Sequence, residues 1–276
     1  MRWLQFILSH SIFIALCAAS LCYQSLQLLR LPVNSPVYGL VFFSTLASYN
    51  FYWLISKWQL GTARHLSRYM KDQASNLVVF LLASVATVYA LYQSPALVPL
   101  TGIAVLLTLL YSAPLWPVKA FRELRKAGFL KTVLLAFTWT FVTILLPIQA
   151  AATEVPPGTA LLFVARFFFM LMLCLIFDAR DVKVDQLNAL RSLATDVSPR
   201  MLRLIIASAF LLYLCTGLLL RVHLNDHRQL AAMVVTGLVT LLVYRMSLQQ
   251  RGYFFYYFGV DGLMLFSALA TYVATI

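Results

Sequence analysis

Apolar runs of about 20 residues recur along the whole chain, and no soluble domain fits between them. A run of that length crosses a bilayer as a helix, because a helix rises about 1.5 Å per residue and the hydrocarbon core is about 30 Å thick. In lipid the backbone must satisfy its own hydrogen bonds, so such a chain folds as a bundle of helices. Composition agrees: 62% of the 276 residues are hydrophobic and 11% are charged, with a mean hydropathy of +0.85. The chain therefore reads as an all-α membrane protein, with residues 1–276 forming a single polytopic transmembrane domain.

Nine spans are expected, at approximately 4–28, 36–56, 75–93, 96–116, 131–150, 158–177, 201–220, 229–247 and 253–275. Pro32, Pro36, Pro95, Pro156, Pro157 and Pro199 punctuate the connections. With the N-terminus cytoplasmic, 17 of the 21 Lys and Arg residues fall on the cytoplasmic side. Arg30, Arg221 and Arg228 fall opposite, and Arg166 lies within a span. That asymmetry follows the positive-inside rule, so the net charge of +12 reads as topology and not as nucleic-acid binding. The first span is expected to be retained, since no small-residue cleavage site follows it. Cys17, Cys22, Cys174 and Cys215 lie in apolar segments without metal-ligand spacing and read as small buried hydrophobes. His10, within the first span, reads as an interhelical hydrogen-bonding group.

Three of the nine acidic residues sit in the eight-residue stretch Asp178-Ala-Arg-Asp181-Val-Lys-Val-Asp185, directly after the apolar run Leu161 to Phe177. If the helix continues, positions i, i+3 and i+7 share one face over roughly 10 Å. Like charges so placed need a cation. Hard oxygen ligands on one face suit Mg²⁺, which also takes phosphate oxygens and water. A solvated charged segment, neutralised by Arg180 and Lys183, has the same spacing. Spacing alone leaves both readings open. Two basic loops, 57–74 and 117–131, lie on the same side. Topology and contact with anionic lipid account for their charge, and caps on a pocket for a phosphorylated ligand are the functional alternative.

Three patterns coincide: the Asp-x-x-Asp-x-x-x-Asp cluster, Tyr111-Ser-Ala-Pro114-Leu-Trp-Pro-Val-Lys119 at the end of the fourth span, and a nine-helix bundle with basic loops on the same side. Together they resemble the UbiA superfamily of intramembrane prenyltransferases. Asp178, Asp181 and Asp185 match that family's second Asp-rich motif, and Asn188-Ala-Leu-Arg191-Ser192-Leu193 is similar to its continuation. The resemblance implies a central cavity open to cytoplasm and lipid, with Mg²⁺ holding an isoprenyl diphosphate. It implies transfer of the prenyl group to a lipophilic or aromatic acceptor. The enzyme would be a multi-pass protein of the cell inner membrane, bathed in membrane lipid, with its active site facing the cytoplasm.

The resemblance makes Asp178, Asp181 and Asp185 both metal ligands and catalytic residues. The family's first motif, Asn-x-x-x-Asp-x-x-x-Asp, retains only Asn50; Leu54 and Trp58 stand where its acids would be. One metal site is therefore expected, with Asn50 adding an oxygen ligand or a hydrogen bond. Lys57, on the face of Asn50, is placed to carry charge where a second metal would sit, although a lysine at the cytoplasmic end of a helix is usually a snorkelling anchor. Lys119, Arg122, Arg191 and Ser192 are candidates for diphosphate contact, and Tyr111 for the pocket wall. Arg166 and Asp261, about 18 and 14 Å deep in their spans, are expected to form a buried ion pair. Acceptor recognition and proton handling are their functional alternatives. The missing acids favour a rival reading, a catalytically degenerate UbiA-like protein that binds lipid or acts as a scaffold. A transporter using Arg166 and Asp261 is disfavoured, since no paired Gly/Pro interruptions or inverted symmetry are seen.

Overall fold

The structure is a computed structural model that describes residues 2–32, 35–59, 73–112, 128–152, 154–187, 191–224, 226–249 and 251–276. The described residues form helices and no strands. In chain order these are α1 (Arg2–Ser9), α2 (Ile12–Leu28), α3 (Ser35–Gln59), α4 (Ala74–Gln93), a 3₁₀ turn (Pro95–Leu97), α5 (Val98–Ser112), α6 (Gly128–Ala151), α7 (Thr159–Leu187), α8 (Leu193–Asp196), α9 (Pro199–Leu224), α10 (His227–Ser247), a π-helical segment (Phe255–Val260) and α11 (Gly262–Thr275).

Most long helices pack against their neighbours in sequence, the pair α4 and α5 excepted, and α11 closes back onto α2. Helices α2 and α6 also pack against each other. Of the α7 span 61% is buried, against 11% for α4, so α7 is a central helix and α4 faces outward. The α7 residues Phe169, Met172, Leu175 and Ile176 are almost fully enclosed. Lipid is as apolar as these side chains, so close packing and interhelical hydrogen bonds hold the bundle more than water exclusion does.

Seven described helices are long and apolar enough to cross a membrane, and eight if α1 and α2 count as one span. Helix α3 is long enough at 25 residues, but its Tyr, Trp and Asn content keeps it outside that set. The expected straight first span, 4–28, is corrected: α1 and α2 meet at a bend of 69°. Ser11 there is left-handed, with φ of 61°. A bend frees backbone groups that lipid cannot satisfy. Asn50 of α3, fully buried, meets that need by donating its side-chain amide to the His10 carbonyl at 3.0 Å.

Pro147 sits inside α6 and cannot donate to the carbonyl of Thr143, four residues earlier. Ser25 of α2 supplies the missing donor, with its hydroxyl 2.8 Å from that carbonyl oxygen. The cysteine reading holds for Cys17, Cys22 and Cys174, which are free and buried, but Cys215 faces outward.

Candidate active site at the end of the central helix

Helix α7 runs on past Phe177 through the acidic stretch to Leu187, so Asp178, Asp181 and Asp185 do lie on one helix. They do not converge on one point. Among the described residues no three His, Cys, Asp or Glu side chains are grouped to hold a metal ion. The stripe is too long, and each acid has its own surroundings.

Asp178 accepts a hydrogen bond from the Thr132 hydroxyl of α6. Thr132 in turn accepts the backbone N–H of Leu193 at 3.2 Å, which ties α6, α7 and α8 together at this end. Gly128 makes that contact possible. A Cβ there would lie 2.6 Å from Ser192 N and 2.7 Å from Ser192 O, closer than backbone atoms tolerate.

Asp181 is held by its neighbour. The Arg180 guanidinium donates from Nε to one carboxylate oxygen at 2.6 Å and from Nη2 to the other at 2.7 Å. Arg180 itself lies 4.8 Å from the Tyr256 ring centroid, 5.0 Å from that of Phe177 and 5.1 Å from that of Tyr257. This aromatic box orients the guanidinium toward Asp181.

Asp185 is buried. Burial holds its carboxyl above the usual carboxylate range, and the nearby Asp181 charge pushes the same way. Lys131, the Ser192 hydroxyl and Arg180 act against that rise without cancelling it. Lys131, on the first turn of α6, interacts electrostatically with Asp178, Asp181, Asp185 and Tyr52. It is the cation common to all three acids.

The other expected site residues divide. Ser192 is fully buried and belongs to the site. Arg191 instead turns to Asp196, with Nε 2.8 Å from its carboxylate. Tyr111, at the end of α5, stacks on Tyr52 of α3 with ring centroids 5.7 Å apart, which joins it to the ring that faces Lys131. Asn50 spends its amide on the α1–α2 bend and on the Leu46 carbonyl, leaving its buried Oδ1 without a partner. Lys119 and Arg122 lie outside the described residues, as does the side chain of Lys57.

The expected Arg166–Asp261 pair is corrected. Arg166 donates to Gln24 Oε1 at 2.8 Å, and to Ser25 Oγ, Thr143 Oγ1 and the Leu21 carbonyl at 3.3 Å each. Gln24 passes the link on to Ser267 and Thr271 of α11. The sixth span is thus tied to the last through an amide, and equal depth in the membrane did not make the two charges neighbours.

Sequence reasoning missed Thr132 and Gly128, and it counted Lys131 only as loop charge. Their signal was present: a Gly-x-x-Lys-Thr start to an apolar span, on the same side as the acids.

No family model matches the sequence, and the curated proteins give no match. A solved structure does match. It is the apo structure of a UbiA homolog from Aeropyrum pernix K1, with a TM-score of 0.70 over 96% of this chain and 99% of that one. This chain has the UbiA fold. At 12% identity the two chains share an arrangement of helices and little sequence. A UbiA fold with several apolar spans is a multi-pass membrane architecture, so lipid surrounds the outward faces of α4 and α9.

Proposed function

We propose that the chain is a UbiA-type intramembrane prenyltransferase, moving an isoprenyl group from an isoprenyl diphosphate to a lipophilic or aromatic acceptor. The observation that carries this reading is the meeting of Asp178, Asp185 and Lys131 at one end of the central helix of a UbiA fold. The positive-inside charge pattern supports a cytoplasmic position for that end, on the inner membrane.

Prenyl transfer breaks the carbon–oxygen bond to diphosphate, so negative charge builds on the leaving group and positive charge on the allylic carbon. Lys131 answers the first charge, and Lys57, Lys119, Arg122 and Ser192 are further contacts under this proposal. The stacked rings of Tyr52 and Tyr111 answer the second. The surrounding apolar helices keep water from the cation.

The donor set fits one Mg²⁺ and not two. Among the described residues Asp178 has a hydroxyl as its hydrogen-bond partner and Asp185 is incompletely neutralised, so both offer hard oxygens. Asp181 is engaged by Arg180, and Leu54 and Trp58 offer no ligand. Held by Asp178 or Asp185 together with diphosphate oxygens, Mg²⁺ would supply Lewis-acid stabilisation of the leaving diphosphate.

The fork of Arg180 on Asp181 favours a second reading, in which the chain's own cations have replaced the metals and the protein binds an isoprenoid lipid without transferring it. One experiment separates the two. Farnesyl and geranylgeranyl diphosphate binding is measured in detergent with and without Mg²⁺, for wild type and for Asp178→Ala/Asp181→Ala. Metal-dependent binding lost in the variant supports the transferase. Metal-independent binding supports the second reading. Absence of binding by wild type overturns both.

A further inference from the structure

Two backbone irregularities from different parts of the bundle, and one buried carboxyl beside the second, converge on one cavity. The first is the left-handed Ser11 at the α1–α2 bend. The second is the π-helical segment Phe255–Val260, where the Asp261 N–H reaches back five residues to the Tyr256 carbonyl at 3.2 Å. Beside the second stands Asp261. It is 7% exposed, and its carboxyl makes no hydrogen bond or ion pair among the described residues. The cavity they share, about 20 Å³ in volume, is bordered by Ser11, Tyr49, Trp53, Tyr257 and Asp261, with apolar side chains of α1 and α2 completing the wall. Non-glycine left-handed residues and π-bulges cost stability and gather at functional sites.

Among the described residues no cation is committed to the Asp261 carboxyl. The cation that acts on Asp261 is Arg180, and both of its donors that face an acid are committed to Asp181. Arg166 is committed to Gln24, Ser25 and Thr143. A lone carboxylate in a bilayer-spanning helix is expensive, and either a proton or a bound cation relieves that cost. The walls favour the cation. Trp53 and Tyr257 have ring centroids 6.3 Å apart, and Tyr49 adds a third aromatic side chain. Aromatic faces attract cations most strongly where water is excluded. Size narrows the class further. A cavity of this volume accepts a group about as large as one water molecule, which an –NH₃⁺ group matches and a quaternary ammonium exceeds.

We propose that this cavity is a binding site for a primary ammonium group, with Asp261 as its anionic anchor and Tyr49, Trp53 and Tyr257 as its aromatic walls. The π-helical turn sets Tyr257 and Asp261 toward the cavity together, and the bend at Ser11 opens space that a straight first helix would fill. The cavity adjoins the Asp178–Asp185 end of α7 through Tyr257, which also packs on Arg180, and the ammonium site stands whether or not the chain transfers prenyl groups.

The test uses the purified full chain in a non-ionic detergent, with methylammonium and dodecylamine as cationic probes and dodecanol as the neutral match. The amines are expected to raise the unfolding temperature and change tryptophan fluorescence in a saturable way, and dodecanol is expected to do neither. Asp261→Asn keeps the shape and removes the charge, and is expected to weaken amine binding by at least about tenfold, the scale for losing one partner of a buried charge pair. Trp53→Phe is expected to retain the thermal response and lose most of the fluorescence response, which locates the site. Equal responses to dodecylamine and dodecanol would overturn the proposal, whatever Asp261→Asn does. So would undiminished amine binding by folded Asp261→Asn.

Discussion

The hydroxyl of Thr132 donates to the carboxylate of Asp178, joining residues 46 positions apart at the point where α6, α7 and α8 meet. Thr132→Val keeps the shape of the side chain and leaves Asp178 and the Leu193 N–H without this partner. Leaving a buried polar group unsatisfied costs about 1–3 kcal/mol. The variant is expected to unfold at lower denaturant in detergent, while Thr132→Ser stays close to wild type.

Gly128→Ala tests the close approach beneath that bond. The new methyl would meet the backbone of Ser192, which cannot swing aside as a side chain can. The start of α6 must move off the Ser192–Asp196 turn, at an expected cost of about 1–3 kcal/mol. Isoprenyl diphosphate binding is expected to fall with it, because Lys131 is carried on the same turn of α6. Thermal unfolding and ligand titration on one preparation check both.

Arg166 and Asp261 are expected to behave as independent sites. Arg166→Met strands Gln24 Oε1 and is expected to destabilise by about 1–3 kcal/mol. Asp261→Asn removes an unpaired carboxyl. If the two residues formed an ion pair, the double variant would show a strong coupling energy. Separate sites add within about 0.5 kcal/mol, and a double-mutant cycle on unfolding free energies reads the difference.

Asp185 gives the site a pH dependence of definite sign. Its folded-state carboxyl is held above the ordinary range. The folded protein therefore keeps a proton that the unfolded chain has released. The resulting contribution to stability is present below the unfolded pKa and is lost as pH rises through the folded pKa. A divalent cation reverses the preference, since it binds the carboxylate and displaces the proton. Without metal, Asp185→Asn is expected to flatten the fall in stability across the weakly acidic range. With Mg²⁺, wild type is expected to gain more stability at neutral pH than at acidic pH. Unfolding temperatures measured across pH, with and without chelator, check both signs.

Much of the architecture was legible because lipid leaves a chain few choices. Apolar length, proline punctuation and the side preference of Lys and Arg set helix positions, and these are local properties of a linear sequence. The acidic stripe was legible for the same reason, since helical spacing fixes which residues share a face. The bend at Ser11 was not, because residues 4–28 read as one uninterrupted apolar run. What stabilises the bend is the amide of Asn50, from another helix. The partner of Arg166 was hidden in the same way. Depth within a span constrains only one coordinate, and rotation about each helix axis decides which groups meet.

The sequence by itself determined that this chain is a bundle of membrane helices carrying three carboxylates on one helical face. Only the tertiary structure decided what those carboxylates face: Thr132 on Asp178, the Arg180 fork on Asp181, and Ser192 and Lys131 against Asp185. Only it left Asp261 alone beside an aromatic cavity. The physical reason is that hydrophobicity and spacing act along one helix, whereas hydrogen bonds, ion pairs and cavities arise between helices whose relative rotation is set by packing on all sides at once.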